Sequence, residues 1–549
     1  MYYKEGVAKR RNFAAPSLGL CDKIYLNKGS LFALYSPDFF GGFYMKKSSI
    51  IFLSLIFIFN IAFSVSAEDS FRQATASSFT VSPIFSDNMV LQQNEPIKIW
   101  GTSSCEGDII NARMGNSMGW SVVENGKWEI TLSERSYSSE PAVLEVYGAG
   151  EKSYKSFENI RFGDVLWVLG QSNVEYTVSA APEADEFASS LTGNENLYIC
   201  QIDKTSFSEN NVSWRRADVY STYTASALAS FLGKNLDSAL NSEVPIGIVS
   251  MGYSGCALSE FMPRELKGFI SLDGQIYKNV IKNVEQMPIK ALVWYQGESD
   301  SRYYFTYAKK LSKFIDWLRE KKDCDFPVYS VELPPCFYDE NDPDRSYEDL
   351  GRVRGESNSL SYLEKNFYVC PTSDLWSDRD FSNNIHPNNK SLIANRLALM
   401  ILSQEYSFGS QSDYFAATVS EVERLSDNEV VIKFKNFGDG LKSDDMKGFV
   451  VTGKYGRVIE SSKTEITSED SVTVSADEKI YSVRYATDTD NVFGTDMSLS
   501  GSNNIPSPAF SVTLEKTLPA FVIIISLLFL TAVVAASFLI LKKIKIKSH

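Results

Sequence analysis

Histidine is almost missing from this chain, whose 549 residues hold two, His386 and His549. Chemistry that needs a neutral imidazole near physiological pH therefore has only His386, or the last residue of the chain, to draw on. None of the seven cysteines forms a CxxC pair, so the usual spacing of a thiolate zinc or redox site is absent. Six of them (Cys105, Cys200, Cys256, Cys324, Cys336 and Cys370) follow residue 67, an even number that fits disulfides and buried thiols equally. Positive charge is also short. Lys and Arg total 54 against 68 Asp and Glu, a net charge of -14 with no basic stripe for a phosphate backbone, so no nucleic-acid partner is expected. Long apolar runs are confined to two places, one near each end.

The first run has a recognisable order. Met45-Lys46-Lys47, the apolar stretch Ile50 to Phe63 and Val65-Ser66-Ala67 give the basic, apolar and small-residue succession of a secretory signal. Residues 45–67 are read as that signal, cleaved after Ala67, with 1–44 a doubtful leader and translation expected to start at Met45. The second run, Leu518 to Leu541, carries no charge over about 24 residues, which as a helix spans roughly 36 Å and suffices to cross a bilayer. The tail 542–549, with Lys542, Lys543, Lys545 and Lys547, then faces the cytosol. The expectation is a protein exported by its signal and held at the cell surface by a C-terminal transmembrane helix.

Between these runs the composition is globular, 44% hydrophobic and 22% charged, with length enough for about three domains. From Val81 the strand-like pieces Ile97–Trp100, Trp128–Ile130 and Val143–Val146 stand between turn residues, predicting a small β-domain over 81–158. From 159 to 405 apolar runs (Asp164–Leu169, Ile246–Met251, Ala291–Tyr295, Val328–Val331, Phe367–Cys370) alternate with helical patterns, the clearest over Thr306–Lys321. That alternation predicts an α/β domain, a parallel sheet flanked by helices. Over 412–512 the β texture returns, with Val430–Phe434, Phe449–Val451 and Tyr481–Tyr485 as candidate strands.

Four short segments fall at the carboxyl ends of core strands, where open α/β sheets place their sites. Gly170-Gln171-Ser172-Asn173 puts a serine at a strand-to-helix turn, with its backbone N–H free to face a developing oxyanion. Ser254-Gly255-Cys256 and Gln296-Gly297-Glu298-Ser299 occupy equivalent edges, where a glycine lets an N–H approach substrate and a glutamine amide can donate. Asn384-Ile385-His386-Pro387 supplies the imidazole. A helix cap at Ser172, ordinary turns and a surface histidine are the bland alternatives.

Together with Val244-Pro245-Ile246-Gly247, Trp294-Tyr295 and Lys390, these segments resemble the sialate O-acetylesterase family of the SGNH hydrolases. Phe85-Ser86-Asp87-Asn88-Met89-Val90-Leu91-Gln92 resembles that family's N-terminal β-domain, and Val483-Arg484-Tyr485 with Ile505–Phe510 its C-terminal one. The resemblance implies a fold with small β-domains on either side of an SGNH-like core. It also implies Ser172 as nucleophile, His386 as base, and an oxyanion hole of the Ser172 and Gly255 N–H groups with the Gln296 amide. No metal or organic cofactor is implied. The sequence departs from the pattern at Asn383, three residues before His386, where many relatives carry an aspartate. Asp374 is the tentative acid, with Asp378 and Asp380 on the same loop; a Ser–His dyad without a carboxylate stays open. Arg354 is a candidate partner for a sialate carboxylate. The expected substrate is an O-acetylated sugar, sialate or a plant polysaccharide such as xylan, and a surface carbohydrate-binding protein that has lost catalysis is the reading from another class.

Overall fold

The run Tyr154–Gly170 is one 17-residue strand (β1) whose surroundings change halfway along it. Its first half alternates between exposed and half-buried side chains, and from Phe162 to Gly170 every residue is buried. This is the change expected where a strand passes from a sheet with one wet face to a sheet covered on both. The first half pairs antiparallel with Ser138–Tyr147, and Val90–Gln92 runs parallel to Arg161–Gly163. The second half is the centre of the core sheet.

That sheet adds β2 (Leu197–Gln201), β3 (Trp214–Arg216), β4 (Ile246–Gly252), β5 (Ala291–Tyr295), β6 (Val328–Val331) and β7 (Phe367–Cys370), in the order β3-β2-β4-β1-β5-β6-β7. All neighbours are parallel except the edge pair β3 and β2. With the N-terminal strands the sheet has eleven members. The expected parallel sheet is therefore corrected to a mixed one: β1 is long enough to recruit antiparallel partners at its start, and β3 closes the opposite edge against β2.

The computed structural model describes residues 72–149, 153–193, 195–204, 207–209, 211–268, 271–334, 347–375, 385–487, 498–515 and 531, which fall in a unit that begins at Phe71. Of its helices, α1 (Ser172–Glu175) follows β1, α2 (Ala227–Ala239) precedes β4 and α3 (Tyr304–Lys322) precedes β6. The last two are α4 (Tyr347–Asn358) and α5 (Lys390–Tyr406). α3 buries Tyr307, Leu311, Phe314, Ile315 and Leu318 as one stripe and ends on Asp323 in the left-handed conformation. Two further sheets, of four and three strands, lie between Thr418 and Thr513 around a core that includes Ile432, Val472, Tyr485 and Phe510. The five described cysteines are free thiols.

The transmembrane part of the expected fold class is corrected. Among the described residues no helix is long and apolar enough to cross a membrane; α3, at 19 residues, carries Lys309, Lys310, Lys313, Asp316, Arg319 and Glu320. The run 518–541 lies outside the described residues except for Thr531, as do the leader 1–44, the signal 45–67 and the tail 542–549. The fold is mixed α/β with several sheets.

Candidate active site

β1 ends at Gly170, and the closeness of its neighbour explains the glycine: a Cβ there would stand 2.1 Å from the Tyr295 carbonyl oxygen on β5. The chain then turns directly into α1, which opens on Ser172. Across the carboxyl edge, the loop between β7 and α5 brings His386 Nε2 to 2.6 Å from Ser172 Oγ. These two residues are 214 positions apart in sequence. Burial of the half-covered imidazole lowers its pKa below the ordinary value of 6.5, and the Lys390 charge pushes the same way. The ring is thus kept neutral, the form that accepts a proton.

The residue after the nucleophile holds the histidine loop. Asn173 is fully buried, and its Nδ2 donates to Glu298 Oε1 at 2.6 Å and to the Ile385 carbonyl at 3.0 Å. Lys390 Nζ donates to Asn173 Oδ1 at 2.6 Å and to the Pro387 carbonyl at 2.5 Å. Both chain neighbours of His386 are therefore tied to one buried amide network. Its ends are a carboxylate and an ammonium that burial drives toward their neutral forms: the Glu298 pKa is raised to about 7 and that of Lys390 lowered to about 7, each opposed by the other's charge. Asn173, Glu298 and Lys390 stood inside the recognised sequence segments without an assigned role. The available signal was a lysine four residues beyond the only core histidine and a glutamate in an apolar setting.

Two backbone donors face the same edge. The N–H groups of Ser172 and Gly255 have no acceptor among the described residues. Gly255 adopts φ +71°, a conformation that favours glycine, on a loop pinned by the Ser254 N–H donating to Glu175 Oε2 at 2.7 Å. Gln296 is 2% exposed and its Nε2 is shared among Asp300 Oδ2 (2.8 Å), the Cys256 carbonyl (3.2 Å) and Gln171 Oε1 (3.2 Å). Its amide fixes the Gly255–Cys256 loop.

The remaining candidates lie in other settings. Asp374 receives Arg396 Nη1 and Nη2 on its two oxygens, each at 2.7 Å, a bidentate pair. Arg354 is buried, with Nη2 donating to the Ala486 carbonyl and its charge facing Glu332. Asp378, Asp380 and Asn383 lie outside the described residues.

A family model described as carbohydrate esterase, sialic acid-specific acetylesterase, matches residues 163–401. The central domain belongs to this family. The matched segment contains Ser172, Gly255, Gln296 and His386, so the acetylesterase family's domain is the one that carries the edge cluster. Among solved structures, a carbohydrate acetylesterase from Xanthomonas citri shares the fold at 22% identity, covering 80% of this chain and 100% of its own, with a TM-score of 0.65. A family two carbohydrate esterase from Clostridium thermocellum aligns at 14% identity, 60% and 100% coverage and a TM-score of 0.26. A lipase/acylhydrolase from Enterococcus faecalis aligns at 12% identity, 43% and 95% coverage and a TM-score of 0.27. No curated protein matches the chain.

Proposed function

We propose that this carbohydrate acetylesterase hydrolyses acetyl esters of sialic acid through an acetyl-serine intermediate. The reading rests on one observation above the others, the 2.6 Å approach of Ser172 Oγ to His386 Nε2 at the carboxyl edge of the sheet. Ser172 Oγ attacks the acetyl carbonyl as its proton passes to His386 Nε2. The carbonyl oxygen gains the negative charge and lies against the Ser172 and Gly255 N–H groups. As the tetrahedral intermediate collapses, the sugar oxygen leaves with the proton from His386, and acetate remains esterified to Ser172. Water enters, gives a proton to His386 and displaces acetate, restoring the serine.

Burial of His386 supports the base role by keeping the imidazole neutral. The network through Asn173 and Lys390 supports its placement, since it ties the chain on both sides of His386, and Asp374 is paired with Arg396. The sialate assignment draws on the family description, and export from the cell on the residue order over 45–67.

Acetate release from O-acetylated sialic acid and from acetylated xylan, with Ser172→Ala beside the native enzyme, tests the proposal. The native chain is expected to release acetate from the sialate, and Ser172→Ala to lose kcat by about 10³-fold or more. Activity on xylan alone would replace the substrate assignment. Undiminished release by Ser172→Ala would remove the mechanism.

A further inference from the structure

The outer face of a small sheet in the N-terminal β-region carries a groove of about 920 Å³. Ile97–Thr102 is the middle strand of that sheet, with Thr80–Val81 on one side and Lys127–Leu132 on the other. Register places Thr80, Thr102 and Lys127 in one row and Trp100 opposite Glu129 in the next, all on the face turned away from the buried Ile99 and Ile130. These five residues line the groove, and the facing wall comes from Lys282, Asn283, Glu285 and Gln286, shortly before β5. The groove is far from the reacting serine. Lys290, soon after Gln286, donates its N–H to the Val165 carbonyl at 2.7 Å, and Ser172 lies beyond the other end of the same strand. The stretch from Val165 to Gly170 alone covers roughly 17 Å.

Two indoles line the groove, and both are held by the protein itself. Trp100 Nε1 donates to the Asn283 carbonyl at 3.2 Å, with the ring edge-on to Phe85 at 4.8 Å. The Arg72 guanidinium lies 4.2 Å from the centre of the Trp120 ring. Both rings are half-buried, so each keeps apolar surface for a ligand at no ordering cost. Around them the polar groups are uncommitted. Lys127, Glu129, Lys282 and Gln286 have no side-chain hydrogen bond or salt bridge among the described residues, and Glu285 Oε2 is buried without a hydrogen-bond partner among them. Lys127 and Lys282 are offset by Glu124, Glu129 and Glu285, so the groove has no excess positive charge with which to select an anion. Hydroxyls that both donate and accept, on rings whose C–H faces pack against flat aromatic surfaces, meet every one of these features. A peptide fits less well, because Trp100–Thr102 is already bonded on both sides and offers no strand edge to extend.

We propose that this groove binds a neutral polysaccharide chain, giving the enzyme a non-catalytic hold on glycan at the end of the core sheet opposite Ser172. Its volume stands near the top of the ~300–1,000 Å³ usual for ligand pockets, which leaves room for more than one sugar ring. The hold is independent of the Ser172–His386 reading, since neither residue lines the groove.

Affinity electrophoresis of the full chain tests the groove, in gels containing soluble xylan, mixed-linkage β-glucan or galactomannan, with polygalacturonate as the acidic comparison. Retardation by at least one neutral polymer is expected, with the dissociation constant raised about tenfold or more in Trp120→Ala. That variant is expected to keep the native melting transition and the native rate on a chromogenic phenyl acetate. The double variant Lys127→Ala, Glu129→Ala removes two exposed groups from the same face and carries the test if Trp120→Ala does not fold; its binding is expected to weaken at least threefold. Retardation by none of the neutral polymers overturns the site, as does retardation by polygalacturonate alone or retardation unchanged in every variant that folds. A folded variant that loses the phenyl acetate rate along with binding would join the groove to the catalytic edge and overturn its independence. An enzyme that is retarded but inactive would keep the groove and lose the esterase mechanism alone.

Discussion

At the scale of single residues the site keeps its base uncharged until it is needed. His386 has its pKa lowered by burial first and by Lys390 second. The imidazole must be neutral to take the Ser172 proton, so kcat/KM is expected to fall as pH drops, with its inflection below 6.5. A pH profile of acetate release checks this; an inflection above the ordinary value would contradict the assigned environment. The same shift affects folding: between the lowered pKa and 6.5 the unfolded chain binds more protons, so this group's stabilisation is complete above 6.5 and lost as pH falls through the folded value. Replacing Lys390 with Met removes the nearby positive charge, so the kinetic inflection should move upward toward the ordinary value. Asn173→Ala strips the amide from between Glu298 and Lys390 and leaves both buried groups short of a partner. A loss of about 3 kcal/mol in chemical denaturation is expected, together with weaker catalysis as the His386 loop loosens.

At the scale of elements, the strand ends decide what can react. Gly255→Ala would meet no neighbouring atom but would place a side chain at φ +71°, costing about 1 kcal/mol. Its larger effect is expected in kcat, because shifting this peptide moves an oxyanion donor; a variant with unchanged kcat would take Gly255 out of that role. The apolar runs that became β1, β4, β5, β6 and β7 were legible in the sequence because buried parallel strands read as continuous hydrophobic segments. β2 and β3 were not: Leu197–Gln201 is short, Trp214–Arg216 is three residues long, and both sit among Asn, Ser and Gly. Ser172 and His386 could be singled out because histidine is so scarce. The partnership of Asp374 with Arg396 could not, since it depends on a turn of α5 meeting a loop 22 residues earlier.

At the scale of the whole molecule, the C-terminal β-region is joined to the core through polar groups as well as apolar ones. Glu332, buried beyond β6, accepts from Asn358 Nδ2 at 3.1 Å, the Ala509 N–H at 2.8 Å and the Thr372 N–H at 3.0 Å. Glu332→Ala orphans three buried donors, and a destabilisation of about 3 kcal/mol is expected in a denaturant titration; a loss under about 1 kcal/mol would mean water replaces the carboxylate. At the opposite end the connection is a continuous length of chain. The strand Tyr154–Gly170 starts as a member of the N-terminal ladder and ends two residues short of the nucleophile. Tension applied to the N-terminal ladder would travel along that strand toward the reactive serine, and it would first be taken up at Asn159, where φ is +57° and the pairing with Ser138–Tyr147 shifts register.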